Sequence, residues 1–262
     1  MATKSNPNEM SFFEHLEELR GRFLKSLIIW FLVLVVCLIF MKDIFNLLAK
    51  PYLDLSEGQP WLTTDPKEPF FAHLKAGLWA SFILSSGIFF YQFWAFIGPG
   101  LEKKEKRFAL PFIAFMAIFF LMGCWFSFSI AYPMVLEFLM GWNIDGLMAY
   151  SRTDYLKLLF GFVLAMGVSF ETPMVIFLLA KLRLVTPRFL IDKFRHAILL
   201  IFVFAAVITP TPDFVTQTIL AGPMILLYLL GLAAAWVVQR NDPKPVSASE
   251  ETAVSIASND DV

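Results

Sequence analysis

The chain has 262 residues, a formal net charge of −1 and a hydrophobic fraction of 58%. Its mean hydropathy is +0.68, and its 30 phenylalanines are more than the core of a soluble protein needs. The composition therefore excludes an ordinary soluble domain and indicates a membrane protein. Both cysteines, Cys37 and Cys124, lie within apolar runs, so a disulfide framework is not expected.

The chain begins with a polar segment, residues 1–10, that we expect to be disordered. Residues 11–14 fit a capping box, in which Ser11 caps a helix and Glu14 reaches back to it. Apolar residues then recur at helical spacing, and acids and arginines fill the other positions. This pattern predicts an amphipathic helix that lies at the membrane surface and leads into the first span. The simplest role for such a helix is an interfacial anchor.

Six apolar stretches follow that can cross a membrane as helices. They cover about residues 23–41, 70–97, 108–132, 158–181, 197–208 and 214–238. The fifth is short, because twelve residues rise only about 18 Å. The sixth is predicted to be interrupted at Gly222-Pro223. A short surface helix is expected at residues 44–48, and the acidic tail, residues 239–262, is expected to be disordered. The sequence thus predicts an all-α membrane domain over residues 11–238.

The fourth span contains a carboxylate far from both of its ends. Glu171 lies about 15 Å of helix rise from Lys181, which is near the middle of a membrane. A carboxylate there costs about 2.5–3.5 kcal/mol or more, so it should face a partner, water or a polar cavity. Pro173 follows at once and leaves the carbonyl of Ser169 without its helical donor. We therefore expect a functional acid beside a weakened helix.

The basic residues are divided unevenly between the two sets of loops. The N-terminal segment and the loops after the second and fourth spans hold Arg20, Arg22, Lys25, Lys103, Lys104, Lys106, Arg107, Lys181, Arg183, Arg188, Lys193 and Arg195. The opposite loops hold Lys42, Lys50, Lys67 and Arg152. The positive-inside rule then predicts six spans with both termini in the cytoplasm.

Motifs of common enzymes are absent from the sequence. It contains no nucleophile elbow, no zinc-binding H-E-x-x-H and no phosphate-binding loop. The three histidines are scattered, which does not indicate a metal site. We expect no enzyme activity, no cofactor and no nucleic-acid partner.

Two acidic features on the predicted cytoplasmic side remain. One is Glu18 with its neighbour Glu17, and the other is Glu105 within a run of basic residues. The run alone is typical of a positive-inside anchor with a solvated acid. Alternatively, Glu18 and Glu105 form a site for a cationic peptide, because carboxylates accept paired hydrogen bonds from guanidinium groups.

Four motifs resemble those of the TatC family, the core receptor of twin-arginine protein translocation. They are residues 15–20 (HLEELR), residues 91–101 (YQFWAFIGPGL) followed by Glu105 and Arg107, residues 167–173 (GVSFETP), and residues 209–218 with Thr-Pro, Pro-Asp and Gln-Thr pairs. The resemblance runs in register from about residue 11 to 238, so chance is a poor explanation.

The resemblance implies a fold, partners and roles for individual residues. The fold would be a concave, glove-shaped bundle of six helices in the cytoplasmic (inner) membrane. Glu18 and Glu105 would contact the arginine pair of a signal peptide, and Arg20 and Phe96 would help to shape that site. Two departures keep Glu17 and Glu102 open as further acids. The family exports folded proteins and is driven by the proton-motive force.

The resemblance also implies protein partners. The single-span proteins TatB and TatA would dock on the fifth and sixth spans, where Gln217 lies, and the chain would form oligomers with its own copies and contact membrane lipids. Glu171 would be a polar group inside the bundle. Two other hypotheses are a proton-coupled secondary transporter with Glu171 as carrier and a structural scaffold in which Glu171 is silent.

Overall fold

Helices make up nearly all of the part of the chain that the structure describes. The structure is a computed structural model, and it describes residues 12–56, 61–63, 65–97, 103–141, 150–209 and 213–241. The helices in these ranges are α1 (Phe12–Ile39), α2 (Met41–Leu55), α3 (Glu68–Leu84), α4 (Ser86–Ile97), α5 (Lys103–Phe126), α6 (Tyr132–Gly141), α7 (Arg152–Phe170), α8 (Thr172–Lys181), α9 (Pro187–Asp192), α10 (Phe194–Ile208) and α11 (Phe214–Asn241). A five-residue π-helical segment, Ser127–Ala131, joins α5 to α6.

The apolar helices match the six predicted spans. Within the described residues, four helical stretches are long and apolar enough to cross a membrane: Leu19–Ile39, Leu110–Gly141, Arg152–Lys181 and Phe214–Arg240. Helices α3 and α4 form a fifth, which is bent by 45° at the break between them. Helix α10 is apolar and short, since its 15 residues rise about 22 Å. The predicted class, an all-α membrane protein, is confirmed.

The helices divide into two packing units. The first comprises the chain up to Glu171 together with Leu200–Met224, and the second comprises Thr172–Leu199 and the chain from Ile225. In the first unit, α3 packs against α1, α2 and α7, and α5 packs against α4 and α7. Its buried core is rich in aromatic side chains, including Tyr132, Tyr155 and Phe162.

Helices α5 and α7 cross at small residues. A Cβ built on Gly123 would lie 2.7 Å from the carbonyl oxygen of Met166, and one built on Gly167 would lie 2.8 Å from the ring of Phe120. Between them, the Cys124 thiol donates a 3.8 Å hydrogen bond to the carbonyl of Val163. Small side chains let two backbones approach closely, which is how membrane helices gain packing energy without a hydrophobic driving force.

A network of polar groups ties the loop before α3 to the start of α7. The buried carboxylate of Glu68 accepts hydrogen bonds from the Ser151 hydroxyl at 2.7 Å and from the Thr153 N–H at 3.2 Å. The guanidinium of Arg152 donates to the Thr63 hydroxyl at 2.8 Å. We call this end of the first unit the Glu68 end, and the opposite end, where α1 begins, the Arg20 end.

Tyrosines extend this network into the core. The hydroxyl of Tyr155 donates to the carbonyl of Leu48 at 2.6 Å, and the hydroxyl of Tyr132 donates to the carbonyl of Tyr155 at 3.2 Å. The rings of Tyr52 and Trp61 lie 4.1 Å apart between centroids. Because each buried hydroxyl of Tyr132 and Tyr155 has an acceptor, neither adds a desolvation penalty to the core.

The second unit is held by contacts between α8, α9 and the later part of α11. The hydroxyl of Tyr228 donates to the carbonyl of Leu190 at 2.9 Å, and the amide of Gln239 donates to the carbonyl of Val185 at 2.8 Å. A Cβ on Gly231 would lie 2.6 Å from the side chain of Ile176, so glycine is required for this approach of α8 to α11. The hydroxyl of Thr186 caps α9 by accepting from the N–H of Phe189.

The structure corrects the predicted ends and breaks of several elements. The surface helix expected at residues 44–48 is the middle of α2, and its Phe45, Ala49 and Tyr52 are buried rather than exposed. Helix α11 passes through Pro223 without interruption. It also extends to Asn241, so the predicted start of the tail at Gln239 lies inside the helix.

The reason for the continuous helix lies in the membrane environment. Proline removes one backbone hydrogen bond, whereas breaking the helix in lipid would expose several backbone groups with no water to bind them. Continuing the helix through Pro223 therefore costs less free energy than breaking it. The capping box at Ser11 and the expected disorder of residues 1–10 and 242–262 lie outside the described residues.

Candidate functional site

The Arg20 end is where the sequence places its peptide-binding residues. A Cβ on Gly77 of α3 would lie 3.2 Å from the carbonyl of Cys37, late in α1, so α1 and α3 run antiparallel. Helix α1 also packs against α4, which continues α3 towards the Arg20 end. These contacts bring the first turns of α1 and the last turn of α4 to the same end of the unit.

Helix α5 begins at this end as well. The indole N–H of Trp94 lies 3.2 Å from the sulfur of Met116, and the rings of Trp94 and Phe112 lie 5.0 Å apart between centroids. Nearer the bend, the rings of Phe90 and Phe120 pair at 5.6 Å. This order shows that α4 and α5 are antiparallel, so the first turn of α5 lies beside the end of α4.

The predicted peptide-binding residues fall on these three helix ends. Glu17 and Arg20 are exposed on the early turns of α1, and Phe96 is half-buried on the last turn of α4. Glu18 lies in α1 and Glu105 in the first turn of α5, but their side chains are outside the described set. Glu102 lies outside the described residues.

Glu171 lies apart from this group. It occupies the break between α7 and α8, it is buried, and neither carboxylate oxygen has a hydrogen-bond partner among the described residues. The residue before it, Phe170, packs against Gly123 of α5. From Lys103 to Gly123, α5 rises about 30 Å at 1.5 Å per residue, so Glu171 is far from the Arg20 end. The sequence predicts one continuous span that Pro173 weakens, whereas the structure interrupts the helix at Glu171, between α7 and α8.

Gln217 lies in the first turns of α11. It is half-buried, and its backbone N–H donates to the carbonyl of Asp213 at 3.2 Å. The carboxylate of Asp213 caps the same helix by accepting from the N–H of Thr216 at 2.6 Å. Thr216 is fully buried, and its hydroxyl has no hydrogen-bond partner among the described residues.

Comparison with known proteins identifies the family of this chain. The model of the family described as "Sec-independent protein translocase protein (TatC)" matches residues 14–223. The chain belongs to the TatC family. A TatC relative from Desulforapulum autotrophicum is 37% identical over 93% of this chain and 91% of its own length, and one from Escherichia coli K12 is 35% identical over 83% and 85%.

A solved structure extends the similarity from sequence to fold. The crystal structure of a twin arginine translocase receptor, TatC, superposes with a TM-score of 0.76 at 34% identity, covering 86% of this chain and all of the other. This chain is therefore a membrane component of a protein-transport system. Among its described residues, no group of three or more histidine, cysteine, aspartate or glutamate side chains could hold a metal ion.

Two features of this TatC chain were missed by the sequence analysis. Glu68 at the start of α3 was given no role, although its carboxylate accepts a hydrogen bond from Ser151. A carboxylate in the first turn of a helix is a weak signal, because such acids also favour the helix dipole without any tertiary contact. The buried hydroxyls of Thr209 and Thr216 were also missed, because threonine within an apolar run gives no sign of which face it occupies.

Proposed function

We propose that this TatC-family chain is the receptor of twin-arginine protein export and binds the arginine pair of signal peptides at its Arg20 end. The observation that supports this most strongly is the packing of α1 with α4 and of α4 with α5. It brings the helix turns that carry Glu18 and Glu105 to one end of the first unit.

The chemistry of the two acids suits the ligand. A guanidinium group offers paired donors that match a carboxylate, and two carboxylates on separate helices fit two consecutive arginines better than lysines. Phe96, half-buried on the last turn of α4, would provide an apolar wall, and exposed Arg20 would limit access for other cations. Glu17 and Glu102 are neighbouring acids that share the charge.

The test is binding of a synthetic signal peptide to the purified full chain in detergent. We expect a peptide with paired arginines to bind and the same peptide with paired lysines to bind at least tenfold more weakly. Glu18→Gln and Glu105→Gln should each weaken binding, while Glu17→Gln and Glu102→Gln act as matched controls with smaller effects. Equal loss with all four variants would indicate only a general negative potential and would contradict the assignment.

The same proposal includes orientation and assembly. The chain would span the inner membrane six times with both termini in the cytoplasm, so that the Arg20 end faces the cytoplasm and the Glu68 end does not. TatB and TatA would dock along α10 and α11 near Gln217, and the receptor would work as an oligomer. Short α10 favours a thinned membrane at this place, where short single-span partners fit.

The alternative, a proton-coupled transporter that uses Glu171, draws on one observation. A buried carboxyl group without a hydrogen-bond partner is rare in a membrane and typical of proton pathways. Membership of a protein-translocase family favours the receptor. In the receptor, Glu171 would be a polar group inside the bundle that matters for export and not for peptide binding. Peptide binding that survives replacement of Glu171 separates the two roles.

A further inference from the structure

A cavity of about 1030 Å³ opens at the Glu68 end, on the opposite end of the first unit from the peptide site. It lies between α6, the first turns of α7 and the last turn of α10. Sites for small molecules typically enclose about 300–1,000 Å³, so this cavity is large enough for a sizeable ligand. The function of the family leaves it without a role.

The rim of the cavity carries both acidic and basic side chains. Asp154 and Lys157, both exposed, lie on the first two turns of α7, and Asp213 lies before α11. A ligand with a single charge would meet repulsion at part of this rim. A zwitterionic ligand, with an anionic and a cationic group a few ångströms apart, would match it.

Beyond the rim the lining is apolar. Leu158, Gly161 and Ile208 also line the cavity. Val207, which lines it too, is 79% exposed, so the cavity wall reaches the outer surface of α10. From Asp154 to Gly161, α7 rises about 10 Å, which covers a headgroup region and the upper part of one leaflet.

We propose that this cavity binds one phospholipid with a zwitterionic headgroup that ends in a primary ammonium, as in phosphatidylethanolamine. Lys157 binds the phosphate, Asp154 and Asp213 bind the ammonium, and an acyl chain lies against Leu158 and Gly161. The ligand holds α6, α7 and α10 together at the Glu68 end. A partner helix fits less well, because a spanning helix needs contact along about 30 Å, three times the depth of this site.

Native mass spectrometry of the purified full chain in detergent tests this proposal. We expect the wild-type chain to retain one added phosphatidylethanolamine at concentrations where phosphatidylglycerol and diacylglycerol with the same acyl chains are lost. Gly161→Leu should abolish retention, because the nearest atom to a Cβ at this position, on Ile208, is 4.0 Å away and the larger side chain would fill the cavity.

Gly222→Leu is the matched control, since a Cβ at Gly222 has no neighbour within 4 Å and this residue does not line the cavity. It should keep the lipid. Lys157→Gln removes the charge and should weaken retention up to about fivefold, as expected of one exposed charge contact.

Several outcomes would overturn the proposal. Equal retention of diacylglycerol would show that the headgroup is not bound. Undiminished retention by Gly161→Leu would place the lipid elsewhere, and no retention by the wild-type chain would leave the cavity to a protein segment. Twin-arginine peptide binding by the same variants is measured in parallel, so failure of the lipid site and failure of the proposed receptor role are distinguished.

Discussion

Gly123 on α5 lies against Met166 on α7 so closely that a Cβ built on Gly123 would be 2.7 Å from the Met166 carbonyl oxygen. The same Cβ would lie 2.8 Å from the ring of Phe170, the residue before Glu171. The contact is with backbone, which cannot rotate away as a side chain does. The approach of α5 to α7 therefore fixes where the buried carboxyl of Glu171 lies.

Replacing Gly123 with a larger residue should push α5 and α7 apart. We expect Gly123→Ala to lower the free energy of unfolding by about 1–3 kcal/mol, the usual cost of inserting a methyl group into a packed interior. The measurement is unfolding of the purified chain in detergent, followed by circular dichroism. Gly222→Ala serves as control, because its Cβ has no neighbour within 4 Å and alanine favours the helix by up to about 1 kcal/mol. Equal stability of both variants would show that α5 and α7 accommodate the added methyl group without a loss in the free energy of unfolding, which would contradict the prediction.

The spans were predictable from the sequence because apolar length alone determines them. The spans Leu19–Ile39 and Arg152–Lys181 follow from long runs of apolar residues, which are more stable in lipid than in water. A weakened helix next to Glu171 was predictable too, since Pro173 removes a backbone donor just after it, but the full break between α7 and α8 was not.

Contacts between distant residues were not predictable. The bend between α3 and α4 has no proline at the break, and the hydrogen bond from Ser151 to Glu68 joins residues far apart in the chain. Hydrophobic periodicity carries no information on such pairs. Glu18 and Glu105 could be singled out only through motifs, because a solvated acid and a ligand-binding acid have the same local pattern.

The carboxylate of Glu68 should stabilise the Glu68 end. Glu68→Ala leaves the Ser151 hydroxyl and the Thr153 N–H without this acceptor, and we expect a loss of about 1–3 kcal/mol in the free energy of unfolding. Glu68→Gln keeps one acceptor oxygen and should cost less. Glu137→Ala, at an exposed carboxylate, is the control and should change stability by no more than about 0.5 kcal/mol. A milder effect of alanine than of glutamine would contradict the prediction.

Glu171 should matter for transport more than for stability. We expect Glu171→Leu to fold at least as stably as the wild type, because it removes a buried polar group without a hydrogen-bond partner. Export of a reporter protein should be impaired in Glu171→Leu and Glu171→Ala and less so in Glu171→Gln, whose amide still forms hydrogen bonds. Peptide binding should survive in all three.

Ser169→Ala is the matched control for Glu171. Ser169 is buried and lies two residues before Glu171 in the chain. Its hydroxyl donates to the carbonyl of Ala165 at 2.6 Å within α7. Its replacement should leave export unchanged. Normal export by Glu171→Leu would show that the carboxyl group of Glu171 has no role in export, and it would contradict the prediction.

The orientation can be tested at two exposed aspartates. Asp65 lies before α3 at the Glu68 end, and Asp192 ends α9 in the second unit. In a background without Cys37 and Cys124, we expect Asp65→Cys to react with an impermeant maleimide in intact cells and Asp192→Cys to react only after lysis, as the distribution of basic residues requires. The reverse pattern would invert the orientation.

Gln217 should position the partner helix without holding it alone. It is half-buried near the start of α11, where its amide can bond a polar residue on a single-span partner. Interhelical hydrogen bonds of this kind contribute about 0.6 kcal/mol on average in membranes, so Gln217→Leu should weaken docking roughly threefold without abolishing it. The measurement is disulfide crosslinking between a cysteine on TatB or TatA and cysteines at Val207 and Ile219, the first of which is 79% exposed. We expect the crosslinks to shift along α10 and α11 while peptide binding at Glu18 and Glu105 is retained. An unchanged pattern would remove the amide contact, and an absence of crosslinks in the wild type would remove this surface as the docking site.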